Sequence, residues 1–235
     1  ESVLCQSYSN IEYIVIDGKS SDKTIHIIGE YMSRFAGRLR LISEPDNGIY
    51  DAMNKGISIA TGELIGILNS DDYYEPEAVA NMISAMKEDR YQILYGFMRS
   101  WKDGKEYMIS RQSHCFLREG MICHPACFVT KTVYDNFGTF DLQYVSVADY
   151  DFMLRMSEIS EIKFYPVNFL IANFELGGMS ASETAWIELV KLKKNYGIIS
   201  DKEYKKEMVK SRIYRIYKTI FKSKSYIGDK RGNKT

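Results

Sequence analysis

The run Leu64-Ile65-Gly66-Ile67-Leu68-Asn69-Ser70-Asp71-Asp72 decides the reading of this chain. Five residues without a polar side chain describe a strand buried on both faces, as in a sheet covered by helices. It ends abruptly in two adjacent carboxylates. Upstream, Tyr13-Ile14-Val15-Ile16-Asp17 repeats the design, an apolar strand closing on an acid. Gly18-Lys19-Ser20-Ser21-Asp22 is turn chemistry, and Ser21 or Asp22 is placed to cap a helix running to about Phe35. Leu39-Arg40-Leu41-Ile42-Ser43 alternates as a second strand. Glu44-Pro45-Asp46-Asn47-Gly48 leads into a helix from Ile49 to Ala60, with Gly62 as its stop. Downstream, Pro76 opens a further helix, where its missing N–H costs nothing. Three strand-helix alternations predict an α/β fold with parallel pairing and right-handed crossovers. In such sheets ligands bind beyond the carboxyl ends of the strands, where Asp17 and Asp71-Asp72 both fall.

The second half changes character. Gln92 to Trp101 and Lys105 to Arg111 flank Asp103-Gly104, a hairpin signal that makes the expected sheet mixed. Ile122 to Thr130 reads as a strand, followed by a short helix ending at Gly138. Ala148 to Glu158 reads as a helix with Asp149, Tyr150 and Asp151 in its first turn. The opening residues, Glu1 to Ser7, read as helical.

The 235 residues suffice for one large domain with an appendage, and 45% hydrophobic with 26% charged residues is the balance of a globular chain. No stretch approaches the ~20 apolar residues that span a bilayer. Four cysteines in a chain of this size do not suggest a disulfide framework, so a reducing, cytoplasmic setting is the expectation. The net charge of zero hides an asymmetry: residues 186–235 carry 15 Lys/Arg against 5 Asp/Glu. The rest of the chain is correspondingly acidic, which argues against nucleic acid as a partner. The charge shift and the loop-like Leu176-Gly177-Gly178-Met179-Ser180 place a boundary near residue 180. The expected domains are 1–180, catalytic, and 181–235, a basic helical extension.

Taken alone, Asp71-Asp72 is a helix cap, a solvated turn or a cation site. Its place after a fully apolar strand favours the last. Mg²⁺ or Mn²⁺ held through one or two carboxylates, with ligand phosphates completing the shell, fits that chemistry. Such an ion offsets charge on a diphosphate leaving group.

Several segments then match one family in order and spacing. They are Ser2 to Asn10, Ile14 to Thr24, Asp46-Asn47-Gly48-Ile49-Tyr50-Asp51-Ala52-Met53-Asn54-Lys55-Gly56, Ala60-Thr61-Gly62-Glu63 and Asn69-Ser70-Asp71-Asp72. His124-Pro125-Ala126-Cys127-Phe128-Val129, Gly138-Thr139-Phe140-Asp141 and Ala148 to Arg155 continue the pattern. The chain resembles the family 2 glycosyltransferases of the nucleotide-diphospho-sugar transferase (GT-A) fold, of the bacterial surface-polysaccharide type. The resemblance implies a mixed, mostly parallel sheet flanked by helices, with a helical C-terminal tail. It implies that Asp17 contacts the uracil or ribose, that Asn54 lines the donor pocket, and that Ser70-Asp71-Asp72 stands for the DXD-type motif. There Asp72 matches the metal ligand and Asp71 a ribose or indirect metal contact. Two departures stand out: the family's first strand and its nucleotide-contacting loop are expected before Glu1, and Lys19 replaces a small residue.

Inverting transfer needs a carboxylate to take the acceptor hydroxyl's proton during a single displacement. Asp149 matches the Asp of the family's "ED" motif, with Ala148 in place of its Glu, and Asp151 is the fallback. Without the resemblance, Asp149 reads as a helix cap. His124 falls on the acceptor or diphosphate side by resemblance, or is a packed core histidine. His114-Cys115 and Cys123-His124-x-x-Cys127 carry zinc-ligand types at a spacing that is no structural-zinc framework. In the tail, Ile213, Ile216, Tyr217, Ile220 and Phe221 share a helical face among Lys and Arg. Such a helix lies on an anionic membrane, or packs on its own domain or a partner. The expected activity is hexosyltransferase-type: non-processive transfer from a nucleotide-sugar, UDP-linked by expectation, to a saccharide or lipid-linked acceptor at the inner membrane face. A nucleotidyltransferase of related architecture and a catalytically silent sugar-nucleotide-binding domain are the alternatives.

Overall fold

The computed structural model describes residues 1–177 and 182–213. The chain divides into two compact units, Glu1–Gly178 and Met179–Thr235. In the first, β1 (Tyr13–Asp17), α1 (Thr24–Met32), β2 (Leu39–Ser43), α2 (Ile49–Ile59), β3 (Leu64–Gly66), β4 (Tyr73–Tyr74) and α3 (Ala78–Ala85) follow in order. Then come β5 (Gln92–Lys102), β6 (Lys105–Ser110), β7 (Cys127–Thr130), α4 (Lys131–Phe137), α5 (Ala148–Ser157) and β8 (Lys163–Glu175).

Strands β1 and β2 pair in parallel as a sheet of their own. The second sheet runs β3-β7-β5-β8-β4, with β6 on the far reach of β5. Its β5–β8 pairing is parallel and its other pairings are antiparallel. The fold is therefore mixed and helix-flanked as expected, with a larger antiparallel share than the strand-helix alternation suggested. The reason is β7, which pairs antiparallel with both β3 and β5. Sequence pattern alone does not mark β8. Its KFYPVNFLIANFE carries a proline and no clean alternation, and its pairing with β5 shifts register near Tyr95 and Phe97 to accommodate them.

The core lies around β5 and β8, where Leu94, Ile171, Ala172 and Met82 of α3 are buried together. Gly66 of β3 faces this core because nothing larger fits. A Cβ there would stand 2.6 Å from the Phe128 ring and 2.8 Å from the Tyr74 hydroxyl. The hairpin at Asp103-Gly104 is confirmed, with φ of 52° and 72° at the two turn residues. Glu1 to Ser7 forms turns instead of a helix, and the strand expected from Ile122 starts at Cys127, after a 3-10 turn over His124–Ala126. Pro125 withholds the N–H that an earlier start would need.

In the second unit α6 (Glu183–Asn195) is capped by the Ser182 side chain, which accepts from the Ala185 N–H. A further helical stretch covers residues 201–213. Most of the amphipathic tail expected from the sequence, including Ile216, Tyr217, Ile220 and Phe221, lies outside the described residues. Among the described residues no helix is long and apolar enough to cross a membrane.

Candidate active site

The acidic pair sits in a tight turn between β3 and β4. The Asp72 N–H donates to the Asn69 carbonyl at 3.2 Å, and Asn69 Nδ2 donates to Asp72 Oδ2 at 3.2 Å. Asp72 is only 7% exposed, and its Oδ1 is buried with no hydrogen-bond partner among the described residues. Burial, then the charge of Asp71, push the Asp72 carboxyl up to about 6, against hydrogen bonding from Asn69 and the Glu175 backbone. Asp71 and Ser70 are exposed beside it. A buried carboxylate oxygen without a partner, next to a second carboxylate, is a hard-oxygen donor set short of a cation. Mg²⁺ or Mn²⁺ fits it. The described residues hold no group of three or more acidic, His or Cys side chains that would cage a metal outright.

Asp17 ends β1 in a different state. The Ser20 N–H reaches its two oxygens at 3.3 and 3.1 Å, and the Ser43 hydroxyl of β2 donates to Oδ2 at 2.6 Å. Hydrogen bonds from Ser20, then Ser43, hold its carboxyl below the usual range. The following loop is crowded: a Cβ on Gly18 would stand 2.3 Å from Asp46 Oδ2. Lys19 adopts a left-handed φ of 65°, a conformation that a glycine takes more cheaply.

Asp149 lies in the first turn of α5, and two donors converge on its Oδ1. The Tyr50 hydroxyl of α2 donates at 2.9 Å and the Tyr150 N–H at 2.9 Å. Oδ2 accepts no hydrogen bond from a described residue. His124 is buried within the electrostatic reach of Asp149, and burial lowers its pKa, so the ring is neutral at pH 7. It meets Phe140 edge-on, with centroids 5.6 Å apart.

Asn54 and Asp151 are spent on structure. Asn54 Nδ2 donates to the Phe140 carbonyl at 2.8 Å and Oδ1 accepts the Phe140 N–H at 3.1 Å. The amide thus fixes the loop before α5 against α2, using one N–H and one lone pair. Asp151, 4% exposed, accepts from Arg155 Nε at 2.8 Å, and Arg155 Nη2 reaches the Thr139 carbonyl at 2.6 Å. An ion-paired, buried carboxylate is a poor fallback base.

Helix α2 is thus the organiser, with Tyr50 on Asp149 and Asn54 on Phe140 one turn apart. Tyr50, Ser43 and Asn69 were not singled out from sequence. The signal for Tyr50 was present: it lies one turn before Asn54 on the same helix face, within the matched segment from Asp46 to Gly56. A cavity of about 540 Å³ lined by His114, Arg118, Lys163 and Phe164, among others, opens at the start of β8, away from these carboxylates.

Comparison with known proteins follows the same lines. The chain is 29% identical to a PGL/p-HBAD biosynthesis glycosyltransferase of Mycobacterium bovis, over 77% of this chain and 72% of that one. It is 28% identical to the chondroitin synthase of Pasteurella multocida, over 98% of this chain and only 24% of the synthase. The structure of S. aureus TarS 1-349 in complex with UDP-GlcNAc superposes with a TM-score of 0.66 at 17% identity, covering 88% of this chain and 63% of the TarS 1-349 chain. The chain thus spans less than two thirds of TarS and about a quarter of the synthase. The model of Glycosyl transferase family 2 matches residues 1–155. That match takes in Asp17, the acidic turn and Asp149: the chain belongs to glycosyltransferase family 2 and has its GT-A fold.

Proposed function

We propose that this chain is an inverting, non-processive glycosyltransferase that moves a sugar from a nucleotide-diphospho-sugar, UDP-linked, to a saccharide or lipid-linked saccharide in surface polysaccharide synthesis. The observation that carries it is the buried Asp72 carboxylate with Oδ1 unpaired beside Asp71. Asp72 would ligate Mn²⁺ or Mg²⁺, with Asp71 and Ser70 toward the ribose or the metal's outer partners. When bound, that ion stabilises charge developing on the diphosphate leaving group. Asp17, held rigid by Ser20 and Ser43, presents the β1 end to the nucleotide.

Asp149 is the base. Tyr50 and the Tyr150 N–H fix Oδ1, so Oδ2 is the oxygen left to take the acceptor hydroxyl's proton as that hydroxyl attacks the anomeric carbon. Neutral His124 lies on the acceptor or diphosphate side and adds no charge there. Asn54 shapes the donor pocket through Phe140. The domain division at about residue 180 leaves catalysis to residues 1–180. The basic extension, 181–235, is proposed to rest on the anionic inner face of the membrane, where a lipid-linked acceptor is presented.

Purified chain should release UDP from one or more of a panel of UDP-sugars with Mn²⁺ and not with EDTA. GDP- and dTDP-sugars tested in parallel set the nucleotide. Asp149→Asn should bind UDP and Mn²⁺ as the wild type does while losing about a hundredfold or more of its transfer rate. Full transfer by that variant sinks the base assignment, and the absence of metal-dependent UDP binding in the wild type sinks the reading as a whole.

A further inference from the structure

The strand that leaves the acidic turn is held less by its ladder than by side chains. β4 is two residues long and pairs with β8 through Tyr73↔Asn173 and Tyr74↔Ala172, with one more backbone bond from the Glu75 N–H to the Ile171 carbonyl at 2.9 Å. So short a ladder fixes little by itself. It follows directly on two adjacent carboxylates, Asp71 and Asp72. A further constraint is needed to keep the turn in one place.

Asn173 supplies it. The residue is 0% exposed in the middle of the sheet. Its Nδ2 donates to Glu75 Oε1 at 3.0 Å, just past the end of β4. Its Oδ1 accepts from Trp101 Nε1 at 2.9 Å and from Arg99 Nη1 at 3.4 Å, both on β5. Arg99 Nη1 also donates to Glu75 Oε1 at 3.0 Å. One amide therefore ties β4, β5 and β8 together. The ladder places Trp101 opposite Glu175, the last residue of β8. The network reaches the acidic turn through Glu75, three residues after Asp72. A buried polar network of this kind is costly when partly satisfied and selects one arrangement when complete.

We propose that Asn173 is a positioning residue for Asp72. Through Glu75, Arg99 and Trp101 it fixes the carboxylate against β8 and so sets the affinity of the turn for a divalent cation held together with a nucleoside diphosphate. Asn173 itself touches neither. This rests on the metal-dependent reading of Asp72 given above.

The test is a Mn²⁺ titration of the full chain by electron paramagnetic resonance, with and without UDP. Asn173→Leu keeps the volume and removes the donor and the acceptor. Loss of a group that orients a metal ligand is expected to weaken Mn²⁺ binding in the presence of UDP by about tenfold or more, with metal-free UDP affinity within about twofold. The transposed pair Glu75→Gln with Asn173→Asp keeps one carboxylate and the same donor-acceptor complement. It should return Mn²⁺ affinity to within about threefold of wild type. A merely structural role lowers the melting temperature without separating the two affinities and without rescue by transposition. A folded Asn173→Leu with wild-type Mn²⁺ affinity overturns the proposal. Should that variant not fold, Trp101→Phe, which removes one donor from a partly exposed ring, decides by the same titration: weaker Mn²⁺ binding supports the proposal and unchanged binding overturns it. Wild-type chain that binds no Mn²⁺ with or without UDP overturns the metal reading as well, a result distinct from variants that lose nothing.

Discussion

Asp17 closes β1, Asp72 lies in the turn between β3 and β4, and both are nearly enclosed, at 6% and 7% exposure. They are in opposite electrostatic states. Asp17 is met by the Ser20 N–H and the Ser43 hydroxyl, and its carboxyl is held below the usual range. Asp72 keeps Oδ1 unpaired and its carboxyl is pushed up to about 6 by burial and by Asp71. Two enclosed acids thus differ, Asp17 a satisfied brace at a strand end and Asp72 an unsatisfied oxygen in the turn before β4. Stability is given up at a carboxylate only where a ligand can return it, so the second is the place to look for chemistry. Asp149 lies between the two, with one oxygen engaged and one open.

Asp72→Asn should break the comparison most severely. Transfer should fall by about a hundredfold or more, since the ion's charge stabilisation is worth several kcal/mol. The metal-free variant should nevertheless be more stable than wild type at pH 7.5. The folded pKa of Asp72, about 6, exceeds its unfolded value of 3.8, so the native state binds the extra proton and stability drains away as pH rises from about 4 through 6. An uncharged Asn removes that penalty, a gain on the order of 1–3 kcal/mol at pH 7.5 that disappears near pH 4. Melting curves at the two pH values read it directly, and a metal-free variant that melts below wild type at pH 7.5 contradicts the orphaned carboxylate.

Asp17→Ala should do the reverse. Its folded pKa is lowered, so it contributes stability above its unfolded value that is lost as pH falls through the folded one. Removing it should cost about 1–3 kcal/mol at pH 7.5 through the stranded donors, and less in acid. Denaturant melts of the two variants should therefore move in opposite directions. Melts that move together would mean that the two acids are not in different states.

The contrast was only partly legible in the sequence. The apolar runs ending in acids placed β1, β3 and the carboxylates, because period and composition are local properties. Which acid is satisfied depends on Ser43, 26 residues from Asp17 and brought to it by the β1–β2 ladder, and on the turn that leaves Asp72 Oδ1 unpaired beyond its bond from Asn69. β8 escaped notice because Pro166 and the polar Asn168 and Asn173 interrupt a strand whose place is fixed by its neighbours. Asn54 and Asp151 were assigned by matching positions, and the structure spends both on the loop before α5 and on Arg155.

Tyr50→Phe should have the smallest effect and sharpens the reading of the intermediate case. The phenol donates to Asp149 Oδ1 at 2.9 Å, and its ring packs on Phe140 with centroids 5.5 Å apart. Phenylalanine keeps the ring contact and removes the hydrogen bond. The Tyr150 N–H still holds Oδ1, so the carboxylate gains freedom without losing its place. One hydrogen bond to a charged group is worth about 1–2 kcal/mol, which predicts a roughly five- to thirtyfold fall in kcat with KM for the donor unchanged. If the phenol acts through Asp149, the same substitution made on top of Asp149→Asn should have no further effect on rate, a coupling that a double-mutant cycle measures. Additive losses would instead place Tyr50 on the substrate, and would leave Asp149 oriented by its own helix alone.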